Sequence, residues 1–289
     1  MTVVDEQPRC WLFFGVLSDL VIEQELRIDK EISIRLPSRD EIEILTDLIP
    51  DGEWNDKDLG WLQQEIGNPV IFMTQPGDYR EIIKSALGSF RRIVTAMRIA
   101  SQGNLRLTVF AYYPPDDDFL YWGSLKTLEA PAWAPKGQQH MIGPPSVPRI
   151  ANLYAKLNSH ELDRRVARAI DNFNSAFTDE RPASRLWNCW AGLGALFWDR
   201  AADRGYYEKC LVCKRISTAT KMPFERLRDS YAMKRSKPVH GESDLETVSD
   251  ADAAFILDAL RQSICVAIED PVPFDRTRRR YDQDCRRSR

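Results

Sequence analysis

The sequence predicts two structural classes in one chain of 289 residues, an α+β module followed by an all-α helical bundle. Short runs that alternate apolar and polar residues, as strands do, are concentrated before residue 114. From about residue 150 onward, apolar residues recur instead with the helical period. Between the two regions, residues 114–149 contain seven of the 17 prolines, which predicts an extended linker.

In the first module, residues 1–113, the apolar opening over 9–22 is typical of a buried strand. Residues 26–36 alternate as two short strands, and Ser38 followed by Glu41 predicts a capping box that begins a helix. Two further strands, over 69–75 and 105–113, flank a long amphipathic helix over 78–100. This module contains no Gly-rich phosphate loop, no paired histidine ligands and no nucleophile motif, so its role is not indicated.

Several polar residues of the first half could serve chemistry, but each has a simpler structural interpretation. Arg91, Arg92 and Arg98 are expected on a solvated face of the long helix, with a phosphate-binding stripe as the alternative. Asp116, Asp117 and Asp118 could approach a cation only if a turn brought them together. His140 is expected to be exposed in the linker.

Composition limits the classes of function. A net charge of −3 and a pI of about 5.8 argue against adhesion to nucleic acid through overall charge, but they allow local basic patches. No apolar run reaches the length of a membrane span, and the N-terminus lacks signal-peptide architecture, so a cytoplasmic protein is expected. The six cysteines do not suggest a disulfide framework. Cys210-x-x-Cys213 is interpreted as buried apolar filling, with redox chemistry or a zinc site as alternatives, and no metal or cofactor is predicted.

The bundle is predicted over residues 150–270. A first helix places Val166, Ile170 and Phe173 on one face, and a second, over about 184–200, is apolar nearly all round and therefore central. Within it, Gly192 and Gly194 weaken the helix unless a neighbour packs closely there. The arginine-rich tail, residues 271–289, is predicted to be disordered.

The candidate site is the stretch RDSYAMKRSKPVHG, residues 228–241, which contains Arg235 and His240. A histidine can transfer a proton at neutral pH, and an arginine stays charged and pairs with phosphate oxygens. Together they suit the cleavage of a phosphodiester without a metal ion, with His240 moving protons and Arg235 stabilising the charged phosphorus centre. Pro238 ends the preceding helix, which lets both side chains face one cleft.

Three segments in succession, RVARAIDNFNSAF, LWNCWAGLGALF and YAMKRSKPVHG, resemble the HEPN domain (higher eukaryotes and prokaryotes nucleotide-binding). The similarity is to the Apea-like HEPN subfamily of bacterial defence proteins and covers roughly residues 150–268. The hallmark of the family is an arginine and a histidine separated by four to six residues, which Arg235 and His240 match. Two departures are Gly194, where the subfamily usually has a glutamate, and Pro238, where an aliphatic residue is commoner.

The resemblance implies a homodimer that cuts RNA without metal and leaves 2′,3′-cyclic phosphate ends, in a toxin-like or antiphage role. Arg235 and His240 would be catalytic, and Arg228, Lys234 and Lys237 would hold the RNA backbone. The N-terminal module would then sense a regulatory protein or phage-derived trigger. Because some family members bind without cutting, a non-catalytic module for RNA, nucleotide or protein is the alternative.

Overall fold

The computed structural model divides the chain into an N-terminal unit, Met1–Ala155, and a C-terminal unit, Lys156–Arg289. The residues that the structure describes are 10–49, 56–77, 79–101, 103, 105–114, 123–128, 140–159, 161–179, 181–232, 248–280 and 283–286.

The N-terminal unit is built on a six-stranded antiparallel sheet with the order β3-β4-β5-β1-β6-β7. A separate parallel pair joins β2 to β8. The strands are β1 (Cys10–Ser18), β2 (Leu20–Ile22), β3 (Leu26–Arg27), β4 (Ile32–Arg35), β5 (Val70–Pro76), β6 (Arg106–Tyr113), β7 (Ser124–Thr127) and β8 (His140–Ile142).

Helices cover both faces of the central strand β1, which explains why that strand is apolar at nearly every position. On one face, Phe14 belongs to a core shared with Leu45 of helix α1 (Arg39–Asp47) and Leu62 of helix α2 (Asp56–Ile66). On the other face, Phe90 of helix α3 (Tyr79–Ala100) packs so close to Gly15 that a Cβ there would lie 2.6 Å from the ring. The α+β prediction for this unit is therefore confirmed.

The predicted elements of this unit match the structure closely, and the linker differs. Ser38 forms the predicted capping box with Glu41, and the strands and long helix lie where they are expected. Residues 124–127 and 140–142, assigned to the linker, form β7 and β8. Arg98, expected on a solvated face, is buried instead, and its Nε is satisfied by donating to the carbonyl of Leu105 at 2.9 Å. The run 116–118 lies outside the described residues.

His140 is the clearest departure, because it is fully buried rather than exposed. Its backbone amide donates to the carbonyl of Asp19 at 2.6 Å, and its Nε2 lies 2.7 Å from Oγ of Ser101. Burial, with a smaller contribution from the positive charge of Arg98, lowers the pKa of His140 to about 4. The imidazole is therefore neutral at physiological pH and acts as a structural hydrogen-bonding group in the join between β2 and β8.

This burial predicts that acid destabilises the N-terminal unit. The unfolded chain takes up a proton on His140 below about pH 6.5, whereas the folded chain does so only near pH 4. Stability is therefore full above pH 6.5 and decreases as the pH falls toward 4, by about 2 kcal/mol between pH 7 and pH 5. Urea unfolding of the wild type and of His140→Gln at both pH values measures this. An equal loss in the two proteins would contradict the assignment to His140.

The C-terminal unit is helical. Helix α4 (Val147–Asn158) lies mostly in the N-terminal unit. The helices of the C-terminal unit are α5 (Arg164–Thr178), α6 (Pro182–Phe197), α7 (Glu208–Thr220), α8 (Phe224–Ser230), α9 (Asp250–Glu269) and α10 (Pro271–Arg278). The apolar helix α6 is central, as predicted, and packs against α5, α7 and α9. One close contact is at Gly192, where an added Cβ would lie 2.9 Å from Leu260.

A buried ion pair connects α7 to the chain before and after it. Arg215 donates from its two terminal nitrogens to the carboxylate of Asp203 at 2.7 and 2.9 Å. It also donates to the carbonyls of Phe197 at 2.5 Å and Arg280 at 3.2 Å. Both partners of the ion pair are buried, with side-chain exposures of 3% and 1%. One guanidinium thus holds the end of α6, the following turn and the chain after α10.

The C-terminal tail is ordered where the structure describes it, contrary to the prediction. Helix α10 is followed by a 3₁₀ turn over Gln283–Cys285. Cys285 forms a disulfide with Cys210, which corrects the interpretation of Cys210 as apolar filling. The backbone amide of Tyr207 donates to the carbonyl of Cys285 at 2.9 Å. The tail is ordered because the chain around α7 supplies both covalent and hydrogen-bonding partners for it.

Candidate functional site

The segment that carries the predicted site lies outside the described residues. Arg235, His240, Lys234 and Lys237 all belong to this segment, residues 233–247, so their geometry is not described. Arg228 is described and lies on α8. The structure does describe where the chain enters the segment and where it leaves it, and both points have well-defined anchors.

The entry point is anchored by Tyr231, which directly follows α8. Its side chain is buried, and its ring meets the ring of Trp190 edge-on, with the ring centroids 4.9 Å apart. The tyrosine hydroxyl donates to Oε1 of Glu208 at 2.9 Å. Tyr231 is therefore held by α6 through Trp190 and by the first turn of α7 through Glu208. These contacts fix the position of the chain four residues before Arg235.

The exit point is anchored by the start of α9. Val248 is buried, and Ser249 forms a capping box with Asp252. Arg185 of α6, which is only 5% exposed, donates to Oδ1 of Asp250 at 2.5 Å. Burial lowers the pKa of Arg185, and the hydrogen bond to Asp250 opposes that change. Because an arginine stays charged even when it is buried, its contact with Asp250 is a charge-assisted hydrogen bond.

Both anchors converge on one helix. Trp190 and Arg185 are five residues apart on α6, which corresponds to about 7.5 Å along the helix axis. The described chain before residue 233 and after residue 247 is therefore held by the same helix, α6. A fixed support of this kind is what a functional pair needs if its side chains are to be held in a productive arrangement. Sequence analysis identified α6 as central but did not identify Arg185 or Tyr231 as anchors.

Helices α8 and α9, which precede and follow the segment in the sequence, carry basic and aromatic side chains. Arg228, predicted to bind RNA, is 44% exposed and lies 2.5 Å from Glu225 and 3.6 Å from Asp229. Arg226 lies over the ring of Phe255, 3.9 Å from its centroid. Sequence analysis missed Arg226. The sequence offered one signal for Arg226: it is a basic residue next to Leu227, which faces inward on a short helix.

Gly194, where the resemblance implies a glutamate, lies on an open part of α6. An added Cβ would have no heavy atom within 4 Å, whereas at Gly192 it would lie 2.9 Å from Leu260 and 3.3 Å from the carbonyl of Ala169. The two glycines therefore have different roles. Gly192 allows close packing between helices, and Gly194 leaves a gap on the helix surface into which a longer side chain would fit.

Alanine substitutions at these two glycines should have opposite effects on stability. Gly194→Ala should raise the free energy of unfolding by about 0.5–1 kcal/mol, because alanine favours the helix and meets no neighbour. Gly192→Ala should lower it by about 1–3 kcal/mol, because the methyl group would overlap Leu260. Urea midpoints of the two variants provide the comparison. Stabilisation by both substitutions would contradict the packing at Gly192.

A polar cluster in the N-terminal unit was also missed by sequence analysis. The pairing of β1 with β6 shifts after Val16, and this bulge turns Thr108 toward α2. The buried carboxylate of Glu65 accepts from Thr108 at 2.9 Å, from Asn68 at 3.2 Å and from the hydroxyl of Ser18. Because Glu65, Ser18 and Thr108 are closed off from solvent, the cluster links α2 to the sheet and offers no surface to a substrate.

Within the described residues, no three or more His, Cys, Asp or Glu side chains are grouped so that they could share a metal ion. No helix in the same part of the chain has the length and apolar content that crossing a membrane requires. Comparison of the chain with protein-family models, curated protein sequences and solved structures gives no significant match.

Proposed function

We propose that the C-terminal unit is a metal-independent endoribonuclease of the HEPN type. His240 acts as the general acid and base, and Arg235 stabilises the charge that develops on the phosphate. The products carry 2′,3′-cyclic phosphate ends, because the ribose 2′-hydroxyl is the attacking group. The observation that supports this most strongly is that Tyr231, before residues 233–247, and Asp250, after them, both contact α6.

The distribution of charge supports an RNA partner for this unit. Residues 156–289 contain 25 Lys and Arg against 21 Asp and Glu, whereas residues 1–155 contain 15 against 22. The whole chain therefore has a net negative charge, whereas its C-terminal half has a net positive charge. Positive charge favours association with the phosphate backbone regardless of sequence. Arg228, Lys234 and Lys237 are the basic residues proposed to hold the RNA next to the catalytic pair.

The proposal includes a homodimer and a regulatory role for the N-terminal unit. Two copies of the Arg235–His240 pair would face each other across a two-fold interface, so that one cleft contains both. The N-terminal unit would respond to a protein or phage-derived trigger and control cleavage, in a toxin-like or antiphage role within the cytoplasm. Its buried polar groups, His140 and Glu65 among them, are engaged in structure and do not suggest a second active site.

The alternative is a non-catalytic HEPN-like module that binds RNA, a nucleotide or a protein. Gly194 favours this alternative, because it leaves an open helix surface where the resemblance implies a carboxylate. Without that carboxylate, binding could persist after cleavage has been lost.

Incubation of the full-length protein with total RNA in EDTA distinguishes the two functions. The endoribonuclease produces fragments, and Gly194→Glu should cleave at least as fast as the wild type, because an added Cβ at this position meets no neighbour within 4 Å. Tight RNA binding without fragments in either protein would favour the non-catalytic module. If the protein neither bound nor cleaved RNA, that result would contradict both the endoribonuclease and the RNA-binding form of the alternative.

A further inference from the structure

The Cys210-x-x-Cys213 pair lies at the one disulfide found among the described residues. Cys210, in the first turn of α7, is bonded to Cys285, and their Cα atoms are 5.4 Å apart. Cys213 follows three residues later on the same helix and is a buried thiol. Residues three apart on a helix are neighbours, with about 5–6 Å between their Cβ atoms. Cys210 therefore has two potential sulfur partners.

The Cys210–Cys285 disulfide attaches the C-terminal segment, which is the arginine-rich tail of residues 271–289, to α7. Hydrogen bonds and an ion pair also join described residues of this segment to the same region, in addition to the contact of Arg215 with the carbonyl of Arg280. Tyr207 donates its amide to the carbonyl of Cys285 at 2.9 Å, and Tyr206 and Arg286 form an isolated β-bridge. Lys214 lies 3.5 Å from the largely exposed Asp284. The disulfide is the covalent constraint on a segment that is rich in arginine, and an exposed ion pair such as Lys214–Asp284 contributes little beside it.

The same bond closes a covalent ring that runs from Cys210 to Cys285, over a sequence separation of 75 residues. The ring includes α8, α9, α10 and the sequence that carries Arg235 and His240. A disulfide across a ring of this size removes a large part of the freedom of the unfolded chain. Opening the ring would therefore lower the free energy of unfolding of the C-terminal unit as well as release its last residues.

We propose that Cys210, Cys213 and Cys285 form a thiol–disulfide exchange site that fixes or releases the arginine-rich C-terminal segment. The thiolate of Cys213 attacks Sγ of Cys210, a Cys210–Cys213 bond forms, and the Cys210–Cys285 bond breaks. Cys285 leaves as a thiolate and takes up the proton that Cys213 lost. The number of disulfides does not change, so the step needs neither an oxidant nor a reductant.

The position of Cys210 makes the exchange geometrically accessible. A disulfide requires its Cβ atoms to be about 3.5–4.5 Å apart, which is closer than two helical residues at this spacing. The first turn of a helix can supply that shift, because its amides have no partners within the helix. Cys210 is the third residue of α7, whereas Cys213 lies in its regular interior. This site does not depend on RNA cleavage.

The test maps disulfides in the full-length protein by alkylation, digestion without reduction, and mass spectrometry. The wild type should give a peptide linked through Cys210 and Cys285, and incubation at pH 8.5 before acid trapping should add one linked through Cys210 and Cys213. Cys285→Ser, oxidised mildly, should give the Cys210–Cys213 link alone. Cys213→Ser should keep the Cys210–Cys285 link at every pH. Cys265→Ser is the matched control, because serine retains a donor to Glu269 and should leave the pattern unchanged.

Release of the C-terminal segment is measured separately, by the rate of proteolysis. Trypsin should cut after Arg276 and Arg279 at least about tenfold faster in Cys285→Ser than in the wild type, because local opening exposes the backbone. A wild type without the Cys210–Cys285 link would overturn the proposal. A wild type that keeps this link as its only disulfide at pH 8.5 would also overturn it, and that result does not require any variant to fold.

Discussion

Arg215→Leu is expected to lower the free energy of unfolding of the C-terminal unit by about 3–5 kcal/mol. The substitution removes a buried guanidinium and leaves the carboxylate of Asp203 buried without its cation, and the loss of one partner from such a pair is costly. It also leaves the carbonyls of Phe197 and Arg280 without this donor. Urea unfolding followed by tryptophan fluorescence measures the change.

The control for this prediction is an ion pair with similar geometry and greater exposure. Arg165 lies 2.6 Å from Asp199, and the two side chains are 36% and 31% exposed. Because water screens this pair, Arg165→Leu should shift the urea midpoint far less than Arg215→Leu. Equal shifts in the two variants would show that burial of the Arg215–Asp203 pair does not determine its contribution.

His240→Ala is expected to reduce the rate of RNA cleavage by about 10²–10⁴-fold, the usual contribution of a positioned general acid or base. Arg235→Ala should cause a loss of similar size, because the charge on the phosphate would no longer be stabilised. The two losses should not add in the double variant if the residues act as one unit. Initial rates on a labelled RNA substrate in EDTA measure all three effects.

RNA affinity and stability separate this catalytic role from a structural one. His240→Ala should bind RNA as tightly as the wild type and unfold at the same urea concentration. Tyr231→Phe is a matched control, because it removes the hydroxyl that donates to Glu208 while keeping the ring against Trp190. This variant should lose some stability but keep most of its activity. Comparable rates in the wild type and His240→Ala would contradict a catalytic histidine.

The sequence predicted local elements well because their signals are local. The capping box of Ser38 and Glu41 depends on residues three apart, and the helical period of α3 extends over 22 residues. The central position of α6 followed from apolar residues on nearly all of its faces. These patterns arise from the geometry of single helices and strands, so they can be read without knowing which elements pack together.

The structural features that the sequence could not predict are those that depend on contacts between residues far apart in the chain. His140 follows a proline-rich stretch, and its burial results from the pairing of β8 with β2, some 120 residues earlier in the chain. Cys210 and Cys285 are 75 residues apart, and nothing in their local sequence indicates that they pair. The anchors of the candidate segment, Arg185 and Trp190, likewise meet their partners only in the folded unit.

Analysis of the RNA ends produced in EDTA tests the central claim, cleavage by Arg235 and His240, most directly. Purified wild-type protein and His240→Ala would be incubated with the same RNA, and the fragment ends would be identified by mass spectrometry. The account predicts 2′,3′-cyclic phosphate ends from the wild type and intact RNA from the variant. Fragments with other ends, or the same cyclic ends from both proteins, would contradict it.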